Sequence, residues 1–197
     1  MPRMSAAQIK SQVGDDPNGV LNRPEGDFYR TGAIAVDKLL AVESFEDPIW
    51  EPACGDGAIS KILEANEHAV ISSDLYDRGY GYTGVNFLTT DPGEVANFKP
   101  RSIITNPPYT LAEDFALRAL EVLPPGAKVA LLARLLWLEG SNRHHRLFSL
   151  TPPARVWVFS SRIPMARGNL PFRIGMVAFA WFVWEIGNYG QTQLGWI

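Results

Sequence analysis

Short unbroken apolar runs alternate along this chain with segments whose apolar residues recur every three or four positions. The first pattern predicts buried strands and the second predicts amphipathic helices. Strands are predicted at Pro48–Trp50, Ala69–Ser73, Gly84–Leu88, Ser102–Thr105, Lys128–Leu136, Ala154–Ser160 and Gly175–Glu185. Helices are predicted from a Thr31 cap to about Val42, and over Ala58–Ala65, Leu111–Leu123 and Ser141–Leu150. Pro124-Pro125-Gly126 gives the third of these a clear stop. Ser161–Arg173, with Pro164, Gly168 and Pro171, reads as a loop. Residues 1–26, rich in Gly, Pro, Asp and Asn, read as a mobile arm. The alternation implies an α/β fold, a largely parallel sheet with helices on both faces.

Composition narrows this a little. A chain of 197 residues, 46% apolar, has enough material for one sizeable core and too little for two. Residues 27–197 are therefore read as a single domain. One cysteine excludes an intramolecular disulfide, and no metal-type Cys/His spacing appears, so no metal is expected. No signal-peptide pattern opens the chain. The most apolar window, Ile174–Ile186, is too short for a bilayer and is interrupted by Gly175 and Glu185. A soluble, cytoplasmic protein without a membrane partner is the expectation.

The candidate chemistry begins at Asn106-Pro107-Pro108-Tyr109, directly after the strand Ser102–Thr105. Two successive prolines cannot continue a sheet ladder, so they stiffen the backbone where the strand ends. Open α/β sheets bind ligands at the carboxyl ends of their strands. An exocyclic amine on a planar base is a weak nucleophile, because its lone pair is delocalised into the ring. It needs acceptors that hold its hydrogens rather than a strong base. The Asn106 side-chain oxygen and the Pro107 carbonyl suit that task and would stabilise charge developing in the transition state. Tyr109 offers a ring for stacking an extruded base.

A second motif lies upstream. Glu51-Pro52-Ala53-Cys54-Gly55-Asp56-Gly57 joins a predicted strand to a predicted helix. Gly55 and Gly57 remove Cβ atoms that would keep a ligand from the backbone. The segment is neither the dinucleotide glycine fingerprint nor a phosphate loop. A turn led by an acid suits a ligand carrying an ammonium or sulfonium. Asp74, followed by Leu75, ends the next predicted strand, about 20 residues beyond the glycines, where a carboxylate can receive ribose hydroxyls. Cys54 reads as a small packed residue rather than a nucleophile.

These motifs, in this order, resemble those of S-adenosylmethionine-dependent amino-methyltransferases, most closely the adenine-N6 DNA methyltransferases. The resemblance covers roughly residues 27–185. It implies a Rossmann-like methyltransferase fold with a seven-stranded, mostly parallel sheet whose last strand is antiparallel. It implies S-adenosyl-L-methionine as cofactor, held by Glu51–Gly57 and Asp74, with Asn106–Tyr109 as the catalytic motif. Asp27-Phe28-Tyr29-Arg30-Thr31 resembles the upstream segment that folds over the cofactor's methionine end, adding Phe28, Tyr29 and Thr31 as contacts. Gly32 replaces the family's usual proline. Asn86-Phe87 stands where the family often has Asp-Phe beside the cofactor's adenine. The family also places an aromatic after the sixth strand to sandwich the base, and Phe159 and Phe172 are the candidates.

Charge adds a partner. The net charge of −3 hides an asymmetry: residues 134–197 hold seven arginines, no lysine and two glutamates. Arg143, Arg162, Arg167 and Arg173 are the candidate nucleic-acid contacts, since arginine suits phosphate and stacks on bases. The sequence shows few local acids to neutralise them. No separate target-recognition region is apparent, which implies brief or loose sequence specificity, a homodimer or an accessory specificity subunit. DNA is the expected partner. RNA adenine is the alternative substrate and a protein glutamine amide a weaker one. A small stand-alone enzyme of this kind fits a phage or prophage.

Overall fold

The computed structural model describes residues 28–95, 99–168, 170–175 and 177–197. The predicted arm over residues 1–26, and Asp27, lie outside the described residues. The elements, in order, are β1 (Tyr29–Thr31), α1 (Ala33–Leu40), β2 (Ile49–Glu51), α2 (Ser60–Ala65), β3 (Val70–Ser72), β4 (Ser102–Thr105), α3 (Ala112–Val122), β5 (Lys128–Arg134), α4 (Ser141–Arg143), β6 (Arg155–Val158), β7 (Pro164–Arg167), β8 (Arg173–Ile174), β9 (Phe179–Glu185) and β10 (Gln193–Trp196). α4 widens into a π-helical turn over His144–Phe148.

Alternation within the central strands explains why both faces are covered. In β9, Ala180, Phe182 and Trp184 enter one core, while Phe179, Trp181 and Val183 enter the other. Neighbouring β5 divides in the same way, with Val129, Leu131 and Ala133 opposite Ala130 and Leu132. α3 covers the first face with Ala112, Phe115, Ala116 and Ala119. α1 and α2 cover the second with Ala35, Val36, Leu39 and Leu63. A strand buried on both faces reads as a continuous apolar run, which is why these two were visible in the sequence.

The seven strands run in the order β10-β6-β9-β5-β4-β2-β3. β9 is antiparallel to both neighbours, and the remaining pairs are parallel. Seven strands were expected, but one is different. Gly84–Leu88 is not a strand. The Asn86 side-chain oxygen accepts the Leu88 N–H at 3.1 Å, and its carbonyl accepts those of Thr89 and Thr90, so a turn replaces the ladder. β10 fills the complement at the far edge, beside β6. The antiparallel strand is therefore the penultimate one, not the last.

Ser161–Arg173 is also more than a loop. β7 pairs antiparallel with both β1 and β8, making a separate three-stranded sheet. Pro164 opens β7, where a missing N–H is tolerated. Thr31 ends β1 and does not cap α1; Gly32 holds that position without a side-chain bond. The Gly32 N–H donates to the Pro164 carbonyl at 3.2 Å, and a Cβ on Gly32 would lie 2.7 Å from that oxygen. A proline here would lack the donor, so the close approach of β7 calls for glycine at this position.

β2 is flanked by β3 on one side and β4 on the other. The chain reverses its direction of travel across the sheet there, and crevices form at such switch points, outside the carboxyl ends of the strands. Glu51 ends β2, Asp74 follows β3, and Asn106 follows β4.

Candidate active site

The three strand ends open onto a cavity of ≈ 360 Å³. It is lined by Glu51, Pro52, Ala53, Cys54 and Asp56 of the turn after β2, and by Asp74 and Leu75 after β3. Asn86 and Phe87 from the following turn and Asn106 and Pro108 after β4 complete that side. Phe28, Tyr29 and Thr31 face it from β1 and the residue before it. Apart from Gly55 and Gly57, the residues named from sequence as cofactor contacts are thus brought together, although they span four separate segments.

Each acid in the turn is held differently. Glu51 is 1% exposed, and one carboxylate oxygen accepts the Ser60 N–H at 2.8 Å and the Ser60 hydroxyl. Ser60 is in turn 2.6 Å from the Ser72 hydroxyl. Burial pushes the Glu51 carboxyl well above the usual range; the Ser60 bonds oppose this, and the charges of Asp74 and Asp56 add to it. The Asp74 carboxylate accepts the Gly55 N–H at 2.9 Å and the Tyr76 N–H at 2.8 Å, fastening the glycine turn to the end of β3. Asp56 meets Arg30 at 3.4 Å through one oxygen, and its other oxygen is buried without a hydrogen-bond partner.

Gly55 and Gly57 are needed for reasons beyond ligand access. Both have positive φ, 57° and 81°. A Cβ on Gly55 would strike the Phe28 ring, and one on Gly57 would lie 2.6 Å from Tyr80. Neither glycine itself lines the cavity. Cys54 is 3% exposed, and burial above all pushes its thiol far up, so it does not serve as a thiolate nucleophile.

Asn106 is oriented by β1. Its amide nitrogen donates to the Tyr29 carbonyl at 2.9 Å and lies 3.1 Å from the Thr31 hydroxyl. A backbone carbonyl can only accept, so this contact fixes which end of the amide faces β1. The Asn106 side-chain oxygen is left buried and without a hydrogen-bond partner. A buried acceptor without a partner costs free energy, which a ligand's N–H reaching it would recover. Pro107 is buried behind Asn106 and does not line the cavity, while Pro108 does.

Tyr109 turns to a second cavity of ≈ 480 Å³, which it shares with Thr110, Arg134, Trp137, Gly140 and Arg143 among others. Tyr29 stacks on the Tyr109 ring with centroids 5.2 Å apart, Phe179 tilts against it at 5.9 Å, and the Arg134 guanidinium lies 4.9 Å over it. Phe159, one candidate for a second stacking residue, is 6% exposed within the core, whereas Phe172 is 45% exposed beneath Arg30.

The arginine-rich segment separates into two groups. Arg143 lies 3.8 Å from Glu113 and donates to the Trp137 and Glu139 carbonyls, both at 2.6 Å. Arg146 meets Glu113 at 2.9 Å, and Arg155 is bound to Glu43 and Glu185. These acids are distant in sequence, so the apparent lack of local partners was misleading. Arg162, Arg167 and Arg173 have no acidic partner among the described residues and lie on or near the small sheet. Sequence reasoning missed Ser60 and Trp137, and counted Arg134 in the basic segment without singling it out. Ser60 carries no local signal, since only the fold brings it to Glu51. Trp137, directly after a clear strand, was the readable hint.

Among the described residues, no group of His, Cys, Asp and Glu is placed to hold a metal, and no helix is long and apolar enough to cross a membrane. No known family profile matches the chain, and no curated protein matches it in sequence. Solved structures match in fold. The methyltransferase subunit of a type I restriction-modification system from Streptococcus thermophilus is 10% identical with a TM-score of 0.55, covering 79% of this chain and 43% of its own. This chain thus spans less than half of that subunit. A Listeria monocytogenes protein assigned to the class I S-adenosylmethionine-dependent methyltransferases is 13% identical, with a TM-score of 0.53 and coverage of 97% and 69%. A predicted O-methyltransferase from Agrobacterium tumefaciens is 15% identical, with a TM-score of 0.53 and coverage of 84% of each chain. At these identities the likeness concerns architecture: the chain has the Rossmann-like fold seen in class I methyltransferases.

Proposed function

We propose that this chain transfers a methyl group from S-adenosyl-L-methionine to the N6 amine of adenine in DNA. The observation that carries the reading is the Asn106 side-chain oxygen, pinned by β1 at the end of β4, buried and unpartnered. The restriction-modification neighbour supports the same substrate class.

The first cavity suits the cofactor. Its ≈ 360 Å³ lies within the range of cofactor pockets. Asp56 and Asp74 supply negative charge for a cationic ligand, and Glu51, raised by burial in the free protein, would add to it on ionising against that ligand. Asp74 would receive ribose hydroxyls, Phe87 and Asn86 would flank the adenine, and Phe28, Tyr29 and Thr31 would close over the methionine end. Bound there, S-adenosylmethionine supplies an electrophilic methyl on a sulfonium. The Asn106 oxygen would accept a hydrogen of the target amine and stabilise positive charge on it as it develops, whereas Pro107, expected as the second acceptor, lines neither cavity. Tyr109 would stack the extruded base beside Asn106. Arg162, Arg167 and Arg173 would meet DNA phosphates, and Arg143 is better placed to shape the second cavity than to reach the backbone.

Labelled cofactor should be incubated separately with duplex DNA, single-stranded DNA, RNA and a protein mixture. Label appearing as N6-methyladenine in DNA is the expected outcome. Label confined to RNA or to glutamine would overturn the substrate, and no cofactor binding by calorimetry would overturn the reading altogether.

A further inference from the structure

Arg134 is the one arginine of the basic segment that faces the second cavity without other work among the described residues. It ends β5, is half-buried, and has no carboxylate partner. Its Nε is buried and makes no hydrogen bond, while its guanidinium carbon lies 4.9 Å over the Tyr109 ring. Burying a guanidinium N–H without an acceptor is unfavourable, and a cation–π contact recovers only part of that. Arg143, the other cation of the cavity, already donates to the Trp137 and Glu139 carbonyls. The Glu139 side chain forms no ion pair with Arg134.

Geometry around Tyr109 gives this cation a task. Tyr29, which lines the first cavity, stacks on the ring, whereas Arg134 covers it from the second. A base entering the second cavity to stack on Tyr109 must displace the guanidinium. Tethered at the end of β5, the displaced group stays at the cavity, next to whatever is attached to the base. An extruded nucleotide carries a phosphate on each side, and the planar guanidinium fork matches phosphate oxygens.

We propose that Arg134 is a substrate-binding residue: it covers Tyr109 when the site is empty and pairs with a phosphate flanking the extruded adenine when DNA is bound. This rests on the DNA reading above and adds a contact to it. The mapped target, found first by locating modified adenines in a long mixed-sequence duplex, is made as a short duplex. Its affinity for the full chain is measured by anisotropy across a salt series. Arg134→Gln should bind roughly tenfold more weakly at low salt, the loss of about one charged hydrogen bond. The slope of log K against log salt should become shallower by about 0.9, one phosphate contact fewer. Arg134→Lys should restore the slope, and S-adenosylmethionine affinity should be unchanged in both, showing an intact fold. Neutral methylphosphonates flanking the target should weaken the parent protein and leave Arg134→Gln unaffected. An unchanged slope, or equal sensitivity of both proteins to the neutral linkage, overturns the assignment. A parent protein that methylates no DNA refutes the functional reading, and this inference falls with it. Methylated DNA with an unaltered Arg134→Gln slope refutes this inference alone.

Discussion

Replacing Glu51 with glutamine should raise stability and weaken cofactor binding at the same time. The carboxyl is 1% exposed, and burial outweighs the two Ser60 hydrogen bonds in setting its protonation, with Asp74 and Asp56 adding to the effect. The native protein therefore holds a proton on Glu51 at pH values where the unfolded chain has released it. Stability carries no Glu51 deficit below the ordinary carboxylate range. It declines as pH rises through that range towards the raised native value, by at most about 1.4 kcal/mol per pH unit, and levels off above it. Glu51→Gln keeps a carbonyl oxygen for the Ser60 donors and cannot ionise, so it should lack this decline. The assay is urea unfolding of both proteins at intervals from about pH 4 to about pH 8. The difference between them should be small at the acid end and grow in the variant's favour as pH rises. A difference that stays constant with pH would refute the argument, because it would mean that Glu51 titrates alike in the folded and unfolded chains. A cationic ligand favours the ionised carboxyl, so the parent should release protons on binding S-adenosylmethionine. The variant should bind it roughly tenfold more weakly, about the worth of one charge-assisted interaction. Calorimetry in buffers of different ionisation enthalpy reads both effects.

Thr31→Val removes one of the two groups that hold the Asn106 nitrogen and leaves the Tyr29 carbonyl in place, so turnover should fall roughly fivefold, the worth of about 1 kcal/mol. Because Thr31 also lines the first cavity, turnover is compared at saturating cofactor, with affinity measured in parallel by calorimetry. Gly55→Ala places a side chain at positive φ and against Phe28, so it should destabilise the fold by about 1–3 kcal/mol and weaken cofactor binding, read by unfolding and calorimetry. Charge reversal at Arg162, Arg167 or Arg173 should weaken DNA binding in a salt-dependent way and leave cofactor affinity intact, since none of the three lines the first cavity.

The central strands and the two motifs were legible because each has a local cause. β5 and β9 are buried on both faces and therefore read as long apolar runs. The turn after β2 and the prolines after β4 break those runs with residue types that carry chemistry. What escaped depended on distant partners. The Gly84–Leu88 run has strand composition, but an Asn86 side-chain bond folds it into a turn. β10 contains Gln193 and Gly195 and is mostly exposed at a sheet edge, so it lacks an apolar pattern. β7 is only four residues long and opens on Pro164, and pairing with β1 makes it a strand. Arg143, Arg146 and Arg155 looked unpaired only because Glu113 and Glu43 approach from parts of the chain far away in sequence.

The most direct test compares the parent protein with Asn106→Ala in single-turnover methyl transfer from labelled S-adenosylmethionine to DNA, with cofactor affinity measured in parallel. The parent should yield N6-methyladenine. The variant should lose about 10²–10³ in rate, the usual cost of removing one acceptor or donor aimed at transition-state charge, while binding cofactor normally. No N6-methyladenine from the parent, or near-normal transfer by a folded Asn106→Ala protein, would contradict the account.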